Sequence, residues 1–443
     1  MTVLLALAGM LLVRSNIFIS IGIGAMVVVV WAILASLTLL PALLGILGRG
    51  INWVRVPFLG KAAFGQRFWG AVTGAVQKRP ALFAAASAGL LIAAALPLAT
   101  IKLGDPGNET LPKETGTYQT YKALERDFST GRIAPLQIVV DGDINSPKVQ
   151  AAIAGLENEV SLRKDVQWQG VTTAADGQTA IIEVIPASIG TESEALAIVD
   201  ELRDELIPQA FQGSNAAVYL GGNTPMYVDV KAEMDGKVAV VFGFVLSLSF
   251  ILLLLVFRSV AIPAKAILMN LLSVGAAYGI VVLVFQHGFL ADQLGFTESP
   301  RVAFWLPLFL FSILFGLSMD YHVFLLSRVK EEYDRSGNNT RAVSVGVRST
   351  AGMITSAAII MVAVFGGFAQ GRFADMQQMG FGLAVAVFLD ATIIRSVLVP
   401  ASMQLLGKYN WWMPSWLGWL PRLNVEGVAH PEPVPALSGA AGD

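Results

Sequence analysis

Apolar runs long enough to cross a bilayer, or nearly so, alternate with short polar breaks along most of this chain. Eight such spans stand out, at roughly 1–13, 18–47, 81–101, 237–257, 260–285, 303–327, 350–370 and 379–406. A helix needs about 20 apolar residues to cross the hydrocarbon core. The first span, MTVLLALAGMLLV, has only 13 before Arg14 and is too short, as if its beginning were missing. One long polar stretch, 102–236, breaks the pattern. Within it, PLQIVVD (135–141), TAIIEVIP (179–186) and AAVYLGG (216–222) read as strands, and 146–162 and 192–207 as helices. These elements predict a small α/β domain, an antiparallel sheet with helices on one face.

Charge gives the spans a direction. Residues 49–79 hold Arg49, Arg55, Lys61, Arg67, Lys78 and Arg79 with no acid, and residues 328–348 hold five more basic residues. Basic loops belong on the cytoplasmic side, as does the turn at Arg258, so eight spans put both termini there. The 102–236 stretch, with 21 Asp/Glu against 10 Lys/Arg, then lies outside, its acids read as a solvated surface, and 286–302 forms a second outer loop. Trp411, Trp412, Trp416 and Trp419 after the last span suit a membrane interface, and so does the Phe64, Phe68, Val72, Val76 stripe. The tail after Asn424, rich in Pro, Ala and Gly, reads as disordered.

Composition agrees with a polytopic membrane protein: 55% of the residues are hydrophobic and only 14% charged. The near-neutral net charge of −2 gives no support to nucleic-acid binding. There is no cysteine, which excludes disulfides, thiolate metal sites and cysteine nucleophiles. The N-terminus has no basic n-region and no good cleavage site, so a cleaved signal peptide is not expected. His287, His322 and His430 are far apart, and no Gly-rich loop ends in Lys-Ser/Thr. No metal, cofactor or enzyme activity is therefore expected.

The second and last spans resemble each other. Gly22-Ile-Gly24 is followed by Pro41 in PALLGILG and then R-G-I-N-W; Gly380-Phe-Gly382 is followed by Pro400 in PASMQLLG and then K-Y-N-W. Such a repeat is a common way to build transporters, with the site at the repeat interface. The chain then keeps the last two helices of one copy and the whole of a second. The Gly275-x-x-x-Gly279 pattern suits close helix packing.

Several polar residues lie inside the spans, where each is a functional hypothesis by default. In FGLSMDYHVFLLSRVKEEY (315–333), Asp320 precedes the first basic residue, Arg328. A carboxyl group there can alternate between neutral and charged as it meets water from either side, which a proton-coupled carrier requires; the alternative is a permanently protonated acid that glues helices together. Tyr321 can hydrogen-bond a carboxylate on a facing helix, and His322, about 100° further round, is a secondary candidate. In the last span, Asp390 and Arg395 differ by about 140° in regular helical angle and so do not face the same neighbour. Arg395 matches Asp320 in depth and could pair with it or snorkel; a structural ion pair and a direct role in coupling both stay open. Aligned from the prolines, their counterparts in the earlier copy are Trp31 and Ser36. Ser349, Thr350, Thr355 and Ser356 could hydrogen-bond into a relay or bond back to their own helix.

GLSMDYHVFLLSRVKEEY, RSTAGMITSAAIIMVAVFGGFA (348–369), GFGLAVAVFLDATIIR (380–395) and the following NWWMP resemble the MMPL family of the resistance–nodulation–division (RND) superfamily, to about residue 420. The resemblance implies twelve helices in two halves, each half with an extracytoplasmic porter domain of ferredoxin-like topology. It implies proton-driven export of lipids or other hydrophobic molecules. Asp320 and Tyr321 match one of two facing Asp-Tyr pairs that carry the coupling, the tenth-helix pair; the fourth-helix pair has no match here. The expected chain is an RND-type half plus two helices in the plasma membrane. Residues 1–48 hold two membrane helices, 49–80 a cytoplasmic linker with an interfacial helix, and 81–101 a membrane helix. Residues 102–236 form the porter domain, 237–406 five membrane helices, 407–423 an interfacial aromatic segment and 424–443 a disordered tail. Its partners are membrane lipids, a hydrophobic substrate and an N-terminal half that is separate or missing. The alternative is a non-transporting scaffold or remnant whose outer domain binds a partner.

Overall fold

The computed structural model describes residues 2–13, 15–48, 50, 62–128, 130–187, 193–417 and 419–420. Expectations for most of the 49–61 linker, for the side chains of Phe64 and Phe68, for His430 and for the tail lie outside the described residues. Among the described residues, seven helical stretches are long and apolar enough to cross a membrane: Asn16–Leu47, Pro80–Thr100, Asn223–Phe257, Ala261–Gln286, Leu306–Ser336, Asn339–Ala369 and Ala374–Trp411.

The chain opens with α1 (Thr2–Ala8), which runs into a 3-10 turn. Short as it is, it is not solvent-facing: Leu7 and Met10 are buried, and the segment packs between α10 and α13, two of the membrane helices described below. Next come α2 (Asn16–Leu37) and α3 (Leu39–Leu47), one apolar stretch broken at Thr38. The basic segment leads to α4 (Ala62–Lys78) and, through Pro80, to α5 (Pro80–Ala95).

The polar stretch contains β1 (Leu103–Gly104), α6 (Gly116–Asp127), β2 (Leu136–Asp141), α7 (Pro147–Ser161), β3 (Val166–Thr173), β4 (Thr179–Pro186), α8 (Ser193–Glu201), α9 (Ile207–Ala210) and β5 (Ala217–Gly221). β2 to β5 form one sheet in the order β3-β4-β2-β5 with every pair antiparallel. Alternation in β2 and β4 sends Leu136, Ile138, Val140, Ala180, Ile182 and Val184 to one side. There they meet Val149, Ile153 and Leu156 of α7 and Val199 of α8 in a core separate from that of the membrane helices. The opposite face stays open, with Tyr219 exposed. Arg163 links the start of β3 to α8: its guanidinium grips Asp165 in two hydrogen bonds of 2.9 and 2.6 Å and also pairs with Glu201 at the end of α8.

From β5 the chain turns at Gly222 straight into α10 (Asn223–Phe257), 35 residues without a break. At about 1.5 Å per residue it is about 52 Å long, well beyond the ~30 Å hydrocarbon core. Its polar first third stands among the sheet-unit residues: Asp229 pairs with Arg203, and the Tyr227 hydroxyl donates to the Leu103 carbonyl at 3.0 Å. Lower down, the Phe242 ring stacks on Phe311, centroids 3.7 Å apart.

The remaining helices are α11 (Ala261–Val281), α12 (Ala291–Leu294), α13 (Leu306–Ser336), α14 (Asn339–Ala369), α15 (Ala374–Leu389) and α16 (Val399–Leu406); the two-residue strand β6 (Val302–Ala303) pairs in parallel with β1. All of these but α12 pack into one apolar core with α1 and α10. One end of the bundle carries the sheet; the other, where α13 turns into α14, carries Arg328, Lys330, Arg335 and Arg341 and is called the basic end here. Gly279 lies so close to α5 that a Cβ there would overlap the Ala94 carbonyl and stand 2.8 Å from the Ala95 Cα, whereas one on Gly275 would meet the Ala95 Cβ at an ordinary 3.7 Å. The repeat seen in the sequence extends to the backbone. Gly48 (φ 46°, ψ −124°) ends α3 and Gly407 (φ 51°, ψ −123°) ends α16, each with its N–H on the carbonyl four residues back. Both occupy the left-handed side of φ that suits glycine.

Candidate functional site

Pro307 starts α13 and Gly337, at φ 65°, stops it, so the Asp-Tyr-His triplet falls near the middle of an uninterrupted helix. At 100° per residue, Asp320 points almost opposite to Ser318 and His322. Burial follows that geometry: Asp320 is exposed, Tyr321 partly buried, and His322 is 1% exposed. The triplet therefore serves two sides of one helix.

The last span departs from the regular geometry its sequence predicts. Residues Asp390–Leu398 are π-helical, with i→i+5 hydrogen bonds that set residues five apart one above the other. Asp390 and Arg395 thus share a face and form an ion pair. The expected separation of about 140° assumed a regular α-helix, and the wider π turn overturns it. The corresponding stretch of the earlier copy is irregular too, with the break at Thr38.

Arg395 makes three contacts with its surroundings. It pairs with Asp390, its Nη2 donates to the Ser318 carbonyl at 3.2 Å, and its Cζ stands 4.5 Å from the centroid of the Tyr321 ring. A cation over an aromatic face is an attractive arrangement, more so out of water. Ser318 continues the network: its hydroxyl donates to Asn270 Oδ1 on α11. His322 Nδ1 sits 3.1 Å from the Ser318 carbonyl oxygen. A carbonyl only accepts, so Nδ1 carries the hydrogen of the neutral ring and Nε2 the lone pair. A cavity of about 20 Å³ lies between these groups, lined by Asn270, Ser273, Ser318, Tyr321, Asp390 and Arg395 among others.

The other polar candidates divide. Ser349, Thr350 and Ser356 bond back to carbonyls three or four residues earlier in α14. Thr355 instead accepts from Trp69 Nε1 of α4 at 3.1 Å, which fastens α4 to α14. An apolar cavity of about 520 Å³ opens beside this contact, lined by Trp69, Ile359, Val362 and Phe388. Two participants went unnoticed in the sequence reading. Asn270 is a lone amide inside AILMNLLSV, a visible signal. Lys265, one turn and a half earlier on α11, donates to Asn410 Oδ1 at 2.7 Å. Among the described residues no three His, Cys, Asp or Glu side chains cluster as metal ligands.

Comparison with known proteins identifies the family of this chain. The MMPL family model matches residues 1–83 and 109–434. The chain belongs to the MMPL family. This MMPL chain is 34% identical over 440 residues to the mycolic acid-containing lipids exporter MmpL11 of Mycolicibacterium smegmatis, a match that covers 96% of this chain and 45% of that protein. It is 30% identical over 445 residues to the trehalose monomycolate exporter MmpL3 of Mycobacterium tuberculosis, covering 92% and 46%. The chain thus spans about half the length of these relatives. Among solved structures it is similar to SecDF, a translocon-associated membrane protein from Thermus, with TM-score 0.44 and 14% identity over 92% of this chain and 47% of that one. The protein is a multi-pass membrane protein of the RND superfamily.

Proposed function

We propose that this chain is the C-terminal portion of a proton-motive-force-driven exporter of lipids or other hydrophobic compounds, with Asp320 and Tyr321 as half of its proton relay. The observation that carries the reading is the placement of Asp320: a carboxyl group at mid-helix in a membrane span, on the exposed side of α13. A charge there is costly unless function demands it. Tyr321 joins it to the buried side, since the same ring carries Arg395 on its face. A second half of the family fold, of the kind the longer relatives contain, would cover the exposed side of α13 and complete the relay. The export of lipids by the named relatives supports the substrate class.

In this reading the β2–β5 unit with its two helices is the extracytoplasmic porter domain, and its β-α-β-β-α-β order is the ferredoxin-like one. The basic end and both termini face the cytoplasm of a plasma-membrane protein, by the excess of Arg and Lys in its loops. A change in the charge of Asp320 shifts the packing around α13, and α10 passes the shift to the sheet unit. The test is Asp320→Asn in membranes that contain this chain together with an N-terminal half. Proton-driven lipid efflux is read alongside protein level and assembly. The expected result is loss of at least tenfold in efflux with assembly unchanged; efflux at the unmodified rate would overturn the relay role.

A further inference from the structure

We propose that β1 and β6, clamped on their flanks by the side-chain amides of Gln286 and Gln378, form the joint on which the sheet unit turns, and that these two glutamines are positioning residues for export. The inference rests on the export reading above and gives the sheet unit its fixed point.

The chain enters the sheet unit through β1, just after α5 and its 3-10 turn, and leaves it through α10. The exit is a continuous helix. The entry is a two-residue strand held to β6 by two backbone bonds: the Val302 and Phe304 N–H groups donate to the Lys102 and Gly104 carbonyls at 2.9 and 3.1 Å. A lone two-stranded pair is marginal, and its outer edges carry backbone groups that need partners when buried. Two helices supply them. Gln286, in the π-helical Val282–Gln286 segment that ends α11, accepts from the Lys102 N–H at 2.8 Å and donates to the Thr100 carbonyl at 2.7 Å. Gln378, on the second turn of α15, accepts from the Ala303 N–H at 2.9 Å and donates to the Arg301 carbonyl at 3.1 Å. Each amide uses its acceptor and its donor end to bridge the C=O before and the N–H after one residue, Ile101 or Val302, as a neighbouring strand would.

The ties converge. Gln378 is wholly buried and Gln286 half-buried. Tyr227 of α10 reaches the same place: its hydroxyl donates to the Leu103 carbonyl, and its ring stands edge-on to Phe304, centroids 5.8 Å apart. With the entry fixed to α11 and α15 and the exit continuous with α10, a shift of α10 against those two helices turns the sheet unit about β1 instead of carrying it along. Gln377 provides a contrast. It makes the same kind of two-ended clip, to the Thr297 N–H at 2.9 Å and the Gly371 carbonyl at 2.8 Å, but both partners lie in loops outside β1 and β6.

The experiment is a distance measurement by double electron–electron resonance on this chain in lipid nanodiscs. The chain has no cysteine, so labels attach only at introduced ones: Glu157→Cys on exposed α7 and Leu268→Cys on the exposed flank of α11. Gln286→Met with Gln378→Met should at least double the width of the distance distribution, Gln286→Met alone should widen it less, and Gln377→Met should leave it unchanged. An unchanged width in the double variant would overturn the proposal, and so would equal widening in Gln377→Met. If the double variant fails to fold, Gln286→Met alone decides, and an unchanged width there refutes the joint. In membranes that also contain an N-terminal half, the widened variant should lose at least fivefold in efflux at unchanged assembly; efflux at the unmodified rate would overturn the positioning role. The width needs no transport, so its failure is separate from that of the Asp320→Asn test.

Discussion

Asp390→Asn is a demanding perturbation, because the carboxylate and its partner are both enclosed, 7% and 4% exposed respectively. The variant leaves the Arg395 guanidinium with only the Ser318 carbonyl and the Tyr321 ring face to replace a full counter-charge. Breaking a buried pair by removal of one partner costs about 3–5 kcal/mol. At about 1.4 kcal/mol per tenfold, that shifts the folding equilibrium by roughly two to three and a half orders of magnitude. Removing both charges with apolar residues of similar size, Asp390→Leu with Arg395→Met, avoids the stranded ion; such replacements are neutral or stabilising by about 1–4 kcal/mol. The reasoning therefore predicts an inversion, with the double variant more stable than either single one. The assay is unfolding from mixed micelles into denaturing detergent, followed by tryptophan fluorescence, as a double-mutant cycle. An Asp390→Asn protein within about 0.5 kcal/mol of the unmodified chain, or a double variant worse than both singles, would refute the buried-pair energetics. If the double variant is stable yet the assembled transporter no longer exports, the charges serve coupling rather than folding.

Three further outcomes follow from local geometry. Gly279→Ala forces α5 and α11 apart and should cost about 1–3 kcal/mol in the same assay, while Gly275→Ala, with its 3.7 Å contact, should cost nothing measurable. In the sheet unit, the hydrogen bonds from Arg163 hold the Asp165 carboxyl below its usual range. A depressed folded value means the contribution is present above the unfolded value of about 3.9 and is lost as pH falls through the folded one. Amide exchange in β3 and α8 should therefore accelerate in strong acid, and Arg163→Gln should remove that acid-dependent part. Trp69→Phe deletes the 3.1 Å bond to Thr355 and should cost about 0.5–1.5 kcal/mol, visible as easier proteolysis between α4 and α5.

Apolar length made the membrane helices legible, and alternation did the same for β2, β4 and β5. β3 escaped because the alternation of Val166 and Trp168 stops at Gly170, where the register shifts, and the Val171–Thr173 stretch beyond it is exposed. α6 escaped because one buried residue, Tyr121, is all that marks its inner face. Asp320 and Tyr321 were readable as polar residues where lipid disfavours them. The Asp390–Arg395 pair was not, because the inference presumed 100° per residue and nothing in DATIIRSVL announces a π segment. Asn270 carried the same signal as Asp320, a polar group in an apolar run. What joins it to the site is a tertiary contact with Ser318, which no single helix reveals.

The unbroken length of α10 has a mechanical consequence. Clasped by Phe311 at Phe242 and by Arg203 at Asp229, it cannot absorb a rearrangement by bending at a kink, because it has none. It acts as a lever pivoting on the aromatic stack: a tilt of about 5° there swings the Asn223 end, some 28 Å away by helix rise, through about 2.5 Å. A sub-ångström repacking beside α13 is thereby magnified at the far end, where the strands begin.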